Sequence, residues 1–478
     1  MQFNDPVFVL LALPGLVLGY FLLGKLGKKP AQMFLILLSL GLFGCGGWKG
    51  LALLLLSVGA NALLCLLISR LPKRRKSVLI LGLCFHIGLL FLFKYLNFAA
   101  DTFQALLHIH VPVPQLVLPL GISFFTFQQI SYLVDCYKGK TQGNTWLEYL
   151  LYSTYFPKLI MGPIVRQDRL LEEFRRDQSY RPDADNLIGG IRRFVLGLFK
   201  KAVLADTFAT AAAFTTAQGA TAAEVLLAML AYTFQIYLDF SGYTDMAIGV
   251  SQMLNIRLPE NFHAPYRALS IRDFWKRWHM SLTGFFTEYV YFPLGGSRKG
   301  TARLCLNTLV VFAVSGLWHG ASWGFILWGI ANGVLNLFDR FTEKYRRGIP
   351  RGLQWFACFA CINLLWLLFQ QGSVFAWLTA LARMTRPGSL ALGESFLQCF
   401  VKPEMTMLFR LPGLRVLDGW LPAVAALGSY GLAFWLCLAE PAPGKKSASR
   451  WSAVATGILL VYCLTCLGGN TEFVYNNF

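Results

Sequence analysis

The chain has 478 residues, of which 56% are hydrophobic and 14% are charged. Soluble globular domains carry about 25% charged residues, so this composition excludes an ordinary soluble protein. The formal net charge is +19, but the basic residues fall in short loops between apolar blocks, at 24–30, 69–77, 340–352 and 444–450, which indicates the cytoplasmic loops of a membrane protein and not a nucleic-acid-binding surface.

The N-terminal part is predicted to contain four spans, at about 6–23, 32–46, 50–69 and 77–97. Basic loops follow the first and third, which places those ends in the cytoplasm and the N-terminus outside. No basic segment precedes the first block and no small-residue cleavage site follows it. We therefore interpret this block as a retained span and not as a cleaved signal peptide.

The next two segments differ from ordinary lipid-facing helices. The block 116–135 carries Ser, Thr and Gln side chains, which suit a helix that lines a protein interior or a wet cavity. The block 149–169 is interrupted by two prolines and a glycine, which predicts a broken or re-entrant helix. Apolar helices resume at about 187–213 and 222–254.

The segment 272–296 alternates Trp, Phe and Tyr with Arg, Lys and Glu. It is too charged to span and too aromatic for a solvent loop, so we predict an interfacial or partly inserted amphipathic helix. Further spans are predicted at about 303–318, 322–340, 353–370, 421–439 and 452–469, with 371–420 outside.

The sequence thus predicts an all-α, polytopic transmembrane protein with roughly eleven spans plus re-entrant or interfacial helices, and with both termini outside. No repeat, low-complexity tract or soluble domain is evident. Residues 1–478 are predicted to form one membrane domain, with a core at about 116–340 and C-terminal spans at 353–478.

The six histidines are the first candidates for chemistry. His86 lies within an apolar block, where the favoured interpretation is that its side chain makes a hydrogen bond that packs helices together. His108 and His110 fall in an outer loop, and His263 lies in a polar turn that is either structural or part of a site. The remaining two are His279 and His319.

His319 lies inside the apolar stretch 315–333, among glycines at 316, 320, 324 and 329. Ionisable groups inside membrane segments commonly mark functional paths, and the alternative is a buried histidine bonded to a carbonyl. The glycines favour function, because bare backbone lets a substrate or a second helix approach. For His279, in the aromatic-basic segment, interfacial anchoring is the alternative.

Other catalytic signatures are missing. The chain has no phosphate-binding P-loop, dinucleotide-binding glycine motif, nucleophile elbow or zincin motif. Two CxxC pairs, Cys358/Cys361 and Cys463/Cys466, lie within apolar runs, where packing is favoured over a metal or redox site. No metal is predicted.

Six blocks carry a resemblance to a known family. They are "LPLGISFFTFQQISYLVDCYKG" (118–139), "YFPKLIMGPIVR" (155–166), "YLDFSGYTDMAIG" (237–249), "LPENFHAPYRALSIRDFWKRWHMSL" (258–282), "YVYFPLGGSRKG" (289–300) and "LWHGASWGFILWG" (317–329). In these blocks the chain resembles the membrane-bound O-acyltransferase family, specifically its bacterial alginate O-acetyltransferase branch. The D-alanyl transfer branch is related.

The resemblance implies an enzyme of the bacterial cell membrane that takes an acyl group from a cytoplasmic thioester, with acetyl-CoA as the donor and no tightly bound cofactor. The acyl group crosses through a central passage to a cell-surface or secreted polysaccharide, with the help of an extracytoplasmic serine-hydrolase-like partner. The family's buried catalytic histidine corresponds to His319 and its second histidine to His279. Burial in apolar surroundings favours neutral imidazole, which can act as a base.

Less specific roles are assigned to two further groups of residues. Donor binding near the cytoplasmic mouth is assigned to Arg272, Lys276, Arg277 and Trp278, with interfacial anchoring as the alternative. Passage lining is assigned to Trp318, Ser322, Asp239, Ser241 and Asp245, although the two aspartates and Ser241 are favoured as groups that hold helices together or line the passage without performing chemistry.

One departure and two alternatives stay open. The family shows an aromatic-Arg-Ala element after the span that ends near Phe369, whereas this chain has Gln370 and Gln371, which puts an outer arginine contact in doubt. The alternatives are D-alanyl transfer to teichoic acid from a carrier-protein thioester, which the long segment 371–478 disfavours, and a glycan or lipid transporter with interrupted helices.

Overall fold

The computed structural model describes residues 2–109, 112–114, 116–386, 390–410, 419–439, 450–467 and 473–474. No strand occurs in these ranges, and helices follow one another along the chain, which confirms the all-α prediction. His110 and most of the basic loop 444–450 lie outside the described residues.

The first half of the chain contributes α1 Leu13–Gly24, α2 Lys28–Gly44, α3 Trp48–Arg70, α4 Arg75–Leu90, α5 Leu96–Leu107, α6 Ile122–Tyr137, α7 Trp146–Thr154, α8 Phe156–Leu159, α9 Gln167–Arg175, α10 Ala184–Phe199, α11 Asp206–Ala212 and α12 Ala222–Met253. π-helical turns run from α4 into α5 and from α10 into α11.

The second half contributes α13 Ile271–Arg277, α14 Met280–Phe286, α15 Thr301–His319, α16 Trp323–Arg346, α17 Arg351–Gln371, α18 Val374–Met384, α19 Glu394–Gln398, α20 Pro403–Phe409, α21 Leu421–Leu438 and α22 Arg450–Cys466. Within the described ranges, α18 to α20 occupy part of the segment 371–420, which the sequence analysis places outside the membrane.

Six helices in the described part of the chain are long and apolar enough to cross a membrane. They are Trp48–Arg70, Pro72–Leu107, Ala222–Met253, Thr301–His319, Arg351–Gln371 and Leu421–Leu438. Shorter apolar helices are Phe8–Gly24, Val374–Met384 and Arg450–Cys466. The protein is therefore a multi-pass membrane protein, and the number of eleven spans stays a prediction.

The contacts divide the chain into two compact units, and unit 1 comprises Met1–Gly197, Tyr243–Glu260 and Pro443–Leu467. Within it, α3, α4 and α6 pack on one another, and α2 packs against α1 and α7. An apolar cluster joins α3, α4 and α6 through Leu64, Ile68, Val78 and Leu133.

Unit 2 comprises Leu198–Gly242, Asn261–Ala442 and Gly468–Phe478. Its centre is the antiparallel hairpin of α15 and α16, and α16 also packs against α13 and α17. A small apolar cluster joins α12, α17 and α18 through Met229, Leu367 and Ala380. The prediction of a single membrane domain stays a prediction.

The broken helix predicted at 149–169 is confirmed within unit 1. Helix α7 starts with a capping box, in which the Thr145 hydroxyl accepts from the Glu148 amide at 3.3 Å and the Glu148 carboxylate accepts from the Thr145 amide at 2.7 Å. It ends at Thr154, and Pro157 opens the four-residue α8. The next helix starts only at Gln167, because proline removes a backbone donor and crowds the preceding turn.

Candidate active site

His279 sits at a break between two short helices of unit 2. The sequence predicted one amphipathic helix over 272–296, whereas α13 ends at Arg277 and α14 begins at Met280. His279 between them has a left-handed backbone, with φ 44° and ψ 52°. A non-glycine residue in this region costs roughly 1–2 kcal/mol, so the surrounding contacts must hold it there.

Asn261 supplies those contacts. Its main-chain carbonyl accepts a hydrogen bond from the Met280 amide at 2.9 Å. Its side-chain carbonyl accepts from the Ser281 hydroxyl at 2.6 Å. Asn261 is fully buried, so both bonds are shielded from competing water and fix the turn that presents His279. Sequence reasoning missed this role, although Asn261 lies within a block that carries the family resemblance.

The His279 imidazole is enclosed without a hydrogen-bond partner. The residue is 1% exposed, and neither ring nitrogen bonds to any residue that the structure describes. His279 lies outside the candidate spans, and burial lowers the pKa of its imidazole to about 3. The ring is therefore neutral near pH 7, with one donor and one acceptor nitrogen.

His319 is the last residue of α15, next to the short turn that leads into α16. It is 2% exposed. Aromatic rings surround the imidazole at centroid distances of 4.9 Å for Trp318, 5.3 Å for Trp328 and 5.3 Å for Phe369. The hairpin of α15 and α16 therefore holds the ring in an apolar environment.

The two histidines meet the same tryptophan. The Trp318 ring centroid lies 4.9 Å from that of His319 and 6.3 Å from that of His279. The ring centroids of the two imidazoles are therefore separated by at most the sum of these two distances. Phe240 covers His279 from another side at 4.7 Å. We call the set formed by Phe240, His279, Trp318, His319, Trp328, Trp366 and Phe369 the histidine cluster.

Trp366 of α17 connects both sides of this cluster. Its ring lies 4.9 Å from Trp278, which precedes His279, and stacks on Trp328 at 5.7 Å. The indole N–H of this 2% exposed residue has no hydrogen-bond acceptor among the described residues. Sequence reasoning missed Trp366, because nothing distinguishes it from the other large residues of an apolar block.

The glycines near His319 serve helix packing. A Cβ atom at Gly316 would meet the Phe325 carbonyl, and one at Gly329 would meet the Phe312 carbonyl, so the two glycines bring α15 and α16 together. A Cβ at Gly320 would meet the Phe325 ring. The second-helix interpretation is therefore confirmed here, and the space beside these glycines is filled by protein.

The basic residues assigned to donor binding lie on or beside α13. Arg272 pairs with Glu343 at 3.2 Å, and Arg277 pairs with Asp273 at 2.9 Å. Lys276 is exposed, whereas Trp278 is 1% exposed. Trp278 packs on Trp366 and so belongs to the surroundings of the histidine cluster, while the three charged side chains face more solvent. Their role in donor binding stays a prediction.

The residues assigned to passage lining separate in the structure. Asp239 forms a buried ion pair with Lys201 at 2.8 Å and accepts from the Val474 amide at 2.9 Å. Asp245 belongs to unit 1, where it pairs with Arg193 at 3.0 Å. These carboxylates connect helices, which is one of the two roles that the sequence left open, and their role in passage lining stays a prediction.

The two serines assigned to passage lining differ in their hydrogen bonds. Ser322 caps α16 by accepting from the Phe325 amide, and its hydroxyl donates to the Gly372 carbonyl at 2.8 Å. Ser241 is buried next to Phe240 in the chain, and its hydroxyl has no hydrogen-bond partner in the described part of the molecule. Ser241 therefore remains the better candidate for contact with a ligand.

The two glutamines at the end of α17 have structural partners in unit 2. Gln370 donates to the Ala212 carbonyl at 3.0 Å, and Gln371 donates to the Thr215 hydroxyl at 3.2 Å. Both amides thus tie α17 to the end of α11. Among the described residues no group of three or more His, Cys, Asp or Glu side chains is placed to hold a metal ion.

The chain is similar to known proteins over most of its length. Residues 143–369 match the model of the membrane-bound O-acyltransferase family, a range that includes His279, His319 and Trp366. A peptidoglycan O-acetyltransferase of Helicobacter pylori is 37% identical over 427 residues, which is 82% of this chain and 81% of that protein.

The names of two further relatives give other acceptors, alginate and teichoic acid. A probable alginate O-acetylase of Pseudomonas aeruginosa is 34% identical over 393 residues, with 79% of this chain and 74% of that protein covered. A teichoic acid D-alanyltransferase of Bacillus subtilis is 31% identical over 252 residues, with 50% of this chain and 64% of that protein covered.

Proposed function

The chain belongs to the membrane-bound O-acyltransferase family and is an acyltransferase, and from that premise we propose that it O-acetylates a cell-envelope or secreted polysaccharide. The donor is a cytoplasmic thioester, acetyl-CoA. The protein lies in the bacterial plasma membrane with both termini outside, and an extracytoplasmic serine-hydrolase-like partner completes the transfer to the glycan.

The observation that carries this proposal is the shared contact of His279 and His319 with Trp318. Buried polar groups are normally hydrogen-bonded, and leaving one unpaired costs about 1–3 kcal/mol. The unpartnered nitrogens of His279 and the unpartnered N–H of Trp366, within the described residues, are therefore suited to a ligand that brings its own donors and acceptors. A thioester and a hydroxyl are such a pair.

His319 is assigned the proton transfer. As the acceptor hydroxyl oxygen attacks the thioester carbonyl carbon, neutral imidazole takes the hydroxyl proton. The carbon–sulfur bond breaks, and the acetyl group is then bonded to the acceptor oxygen. The proton passes from the imidazole to the departing thiolate. The apolar rings around His319 limit competing hydrolysis by water.

His279 is assigned the orientation of the acyl group. Its neutral ring carries one N–H, which suits a hydrogen bond to the thioester carbonyl oxygen, where negative charge develops in the transition state. The left-handed turn fixed by Asn261 holds the ring in one position. The His279 N–H is therefore already oriented and does not have to be reoriented during the reaction.

Relatives with acetyl transfer in their names cover more of the chain than those with D-alanyl transfer. The two O-acetylation relatives cover 82% and 79% of the chain, whereas the D-alanyltransferase covers 50%. This difference supports acetyl over D-alanyl as the group transferred. All three names describe acyl transfer, which supports the enzyme over the transporter.

The test is His319→Ala in the native host. Ester-linked acetate released from the envelope and secreted glycans by mild alkali should fall to background, while the variant accumulates in the membrane at the normal level. Unchanged acetate release with a normally accumulating variant contradicts the proposal. Transfer of label from D-alanine in place of acetate assigns the chain to the D-alanyl branch.

A further inference from the structure

Unit 1 contains a cavity that has no histidine among its lining residues. Its volume is about 420 Å³, and it opens between the end of α3, the start of α4, the end of α6 and the start of α7. The side chains that matter for recognition are those of Ser69, Arg75, Cys136, Thr141, Gln142 and Trp146. None of them takes part in the proposed transfer.

Arg75 is the polar anchor of this cavity. One of its terminal nitrogens donates to the Tyr137 carbonyl at 2.6 Å, and the guanidinium lies 5.5 Å from the Tyr137 ring centroid. Its Nε atom is buried and has no acceptor in the part of the chain that the structure describes. A guanidinium held this way can donate its remaining N–H groups to an anion, and phosphate geometry suits it.

The segment that carries Arg75 is strongly basic. Exposed cationic side chains lie between the end of α3 and the start of α4, and they are Arg70, Lys73, Arg74 and Lys76. We call these four residues, which flank the lining residues Ser69, Pro72 and Arg75 in the sequence, the basic rim. The acidic residues nearby are engaged elsewhere. Glu148 pairs with Arg175 at 2.6 Å, and Asp135 lies 3.9 Å from Lys140. The field at the opening is therefore positive.

The cavity also has the position expected of a lipid site. It lies at the basic ends of two candidate spans, Trp48–Arg70 and Pro72–Leu107, which is the level of the lipid headgroups. Trp146 in its wall is 58% exposed, and Leu71, which precedes the lining residue Pro72 in the chain, is 40% exposed. Tryptophan prefers this interface, and basic pockets between membrane helices bind anionic headgroups.

We propose that this cavity binds the phosphate headgroup of an anionic phospholipid from the cytoplasmic leaflet. The Arg75 guanidinium contacts the phosphate, the basic rim supplies the long-range attraction, and Trp146 and Leu71 contact the upper acyl chains. The site is separate from the transfer chemistry, so it does not depend on the proposed function.

The experiment measures lipid retention by the full chain in nanodiscs of phosphatidylcholine with increasing phosphatidylglycerol. Native mass spectrometry counts the phosphatidylglycerol that stays bound after release from the disc. Wild type should retain it in preference to phosphatidylcholine. The exposed triple variant Lys73→Gln/Arg74→Gln/Lys76→Gln should weaken retention about 100-fold, because each surface charge contributes about fivefold.

The matched control removes the same charge from another basic loop. Lys344→Gln/Arg347→Gln/Arg351→Gln alters three exposed residues of unit 2 and should retain phosphatidylglycerol like wild type. Arg75→Lys keeps the charge but loses the forked donor, and it should weaken retention without unfolding the chain. Equal losses in both triple variants, or no preference for phosphatidylglycerol, overturn the proposal.

A further arm of the experiment adds a soluble phosphate compound, to distinguish a lipid ligand from a free phosphate ligand. Coenzyme A added to the discs should leave the retained phosphatidylglycerol unchanged. The lipid assignment is overturned if coenzyme A displaces the lipid and the variant Lys73→Gln/Arg74→Gln/Lys76→Gln prevents this displacement. The cavity then binds a soluble phosphate ligand.

Discussion

Two buried histidines in different units of this protein show how a structural histidine differs from a candidate catalytic one. In unit 1, His86 Nε2 lies 3.1 Å from Asn61 Oδ1, and Ser57 Oγ lies 3.5 Å from His86 Nδ1. Asn61 in turn donates to Gln129 at 2.9 Å. Each polar atom of the ring has a partner, so nothing remains for a ligand.

In unit 2, His279 is equally buried and lies among aromatic rings, with both ring nitrogens unpartnered as far as the described residues show. Its backbone is in the left-handed region and is held by Asn261. A fold retains such an arrangement at a cost in stability. The difference teaches that unsatisfied polarity, more than burial, distinguishes the candidate catalytic histidine from the structural one.

The largest expected contrast comes from replacing each of these histidines. His279→Asn should lower the transfer rate by about 100-fold or more, with little change in melting temperature, because asparagine tolerates a left-handed backbone. His86→Ala should do the opposite. It removes the His86 partner of the buried Asn61 Oδ1 atom, which costs about 1–3 kcal/mol of stability, while activity per folded molecule is retained.

Rates and melting temperatures of the two variants in the same detergent decide this contrast. A His86 variant that loses rate without losing stability, or a His279 variant that unfolds and keeps its specific activity, would break the distinction.

Two tryptophans of α17 provide a smaller contrast of the same kind. The Trp355 N–H donates to the Tyr266 carbonyl at 2.8 Å, whereas the Trp366 N–H has no acceptor in the described ranges. Trp366→Phe should lower kcat about tenfold by removing a donor to the reacting group, with unchanged or higher stability. Trp355→Phe should lower stability by about 1 kcal/mol and leave kcat unchanged.

Steady-state kinetics and thermal unfolding of both phenylalanine variants test this pair. If both lose stability alike and neither loses kcat, the Trp366 N–H has no part in the reaction.

A further expected effect is a pH dependence of stability. Burial lowers the pKa of His279 from 6.5 to about 3, so between these values the unfolded chain binds a proton that the folded chain does not. The stability contributed by the neutral ring is complete above pH 6.5 and declines as the pH falls toward 3.

Melting temperatures of wild type and His279→Asn at about pH 7.5 and about pH 5 test this difference. Wild type should lose more stability on acidification than the variant. Equal losses in the two proteins would show that His279 is not held neutral by burial.

Much of the fold follows from local pattern. Long apolar blocks gave helices close to the predicted limits, as in α12 and α17, because apolar length and backbone hydrogen bonding act within one segment. The break at 155–166 followed from Pro157 and Pro163 for the same local reason. The catalytic roles of His279 and His319 follow from the family resemblance and stay predictions.

The remaining site residues depend on contacts between distant segments. Asn261, which lies outside the helices, acts through hydrogen bonds to residues 280 and 281 of α14. Trp366 contacts Trp278 and Trp328, the neighbours of the two histidines, only because α17 packs beside α16. The glycines at 316 and 329 were open to two interpretations, since a sequence does not show whether a helix or a substrate occupies the space beside bare backbone.

The central claim is that His279 and His319 act as one site. A double-mutant cycle of His319→Ala and His279→Asn, read as the rate of acetyl transfer from acetyl-CoA, tests it most directly. Residues that act as a unit are strongly non-additive, so the double variant should be hardly slower than His319→Ala alone. A double variant whose loss equals the product of the two single losses would contradict the account.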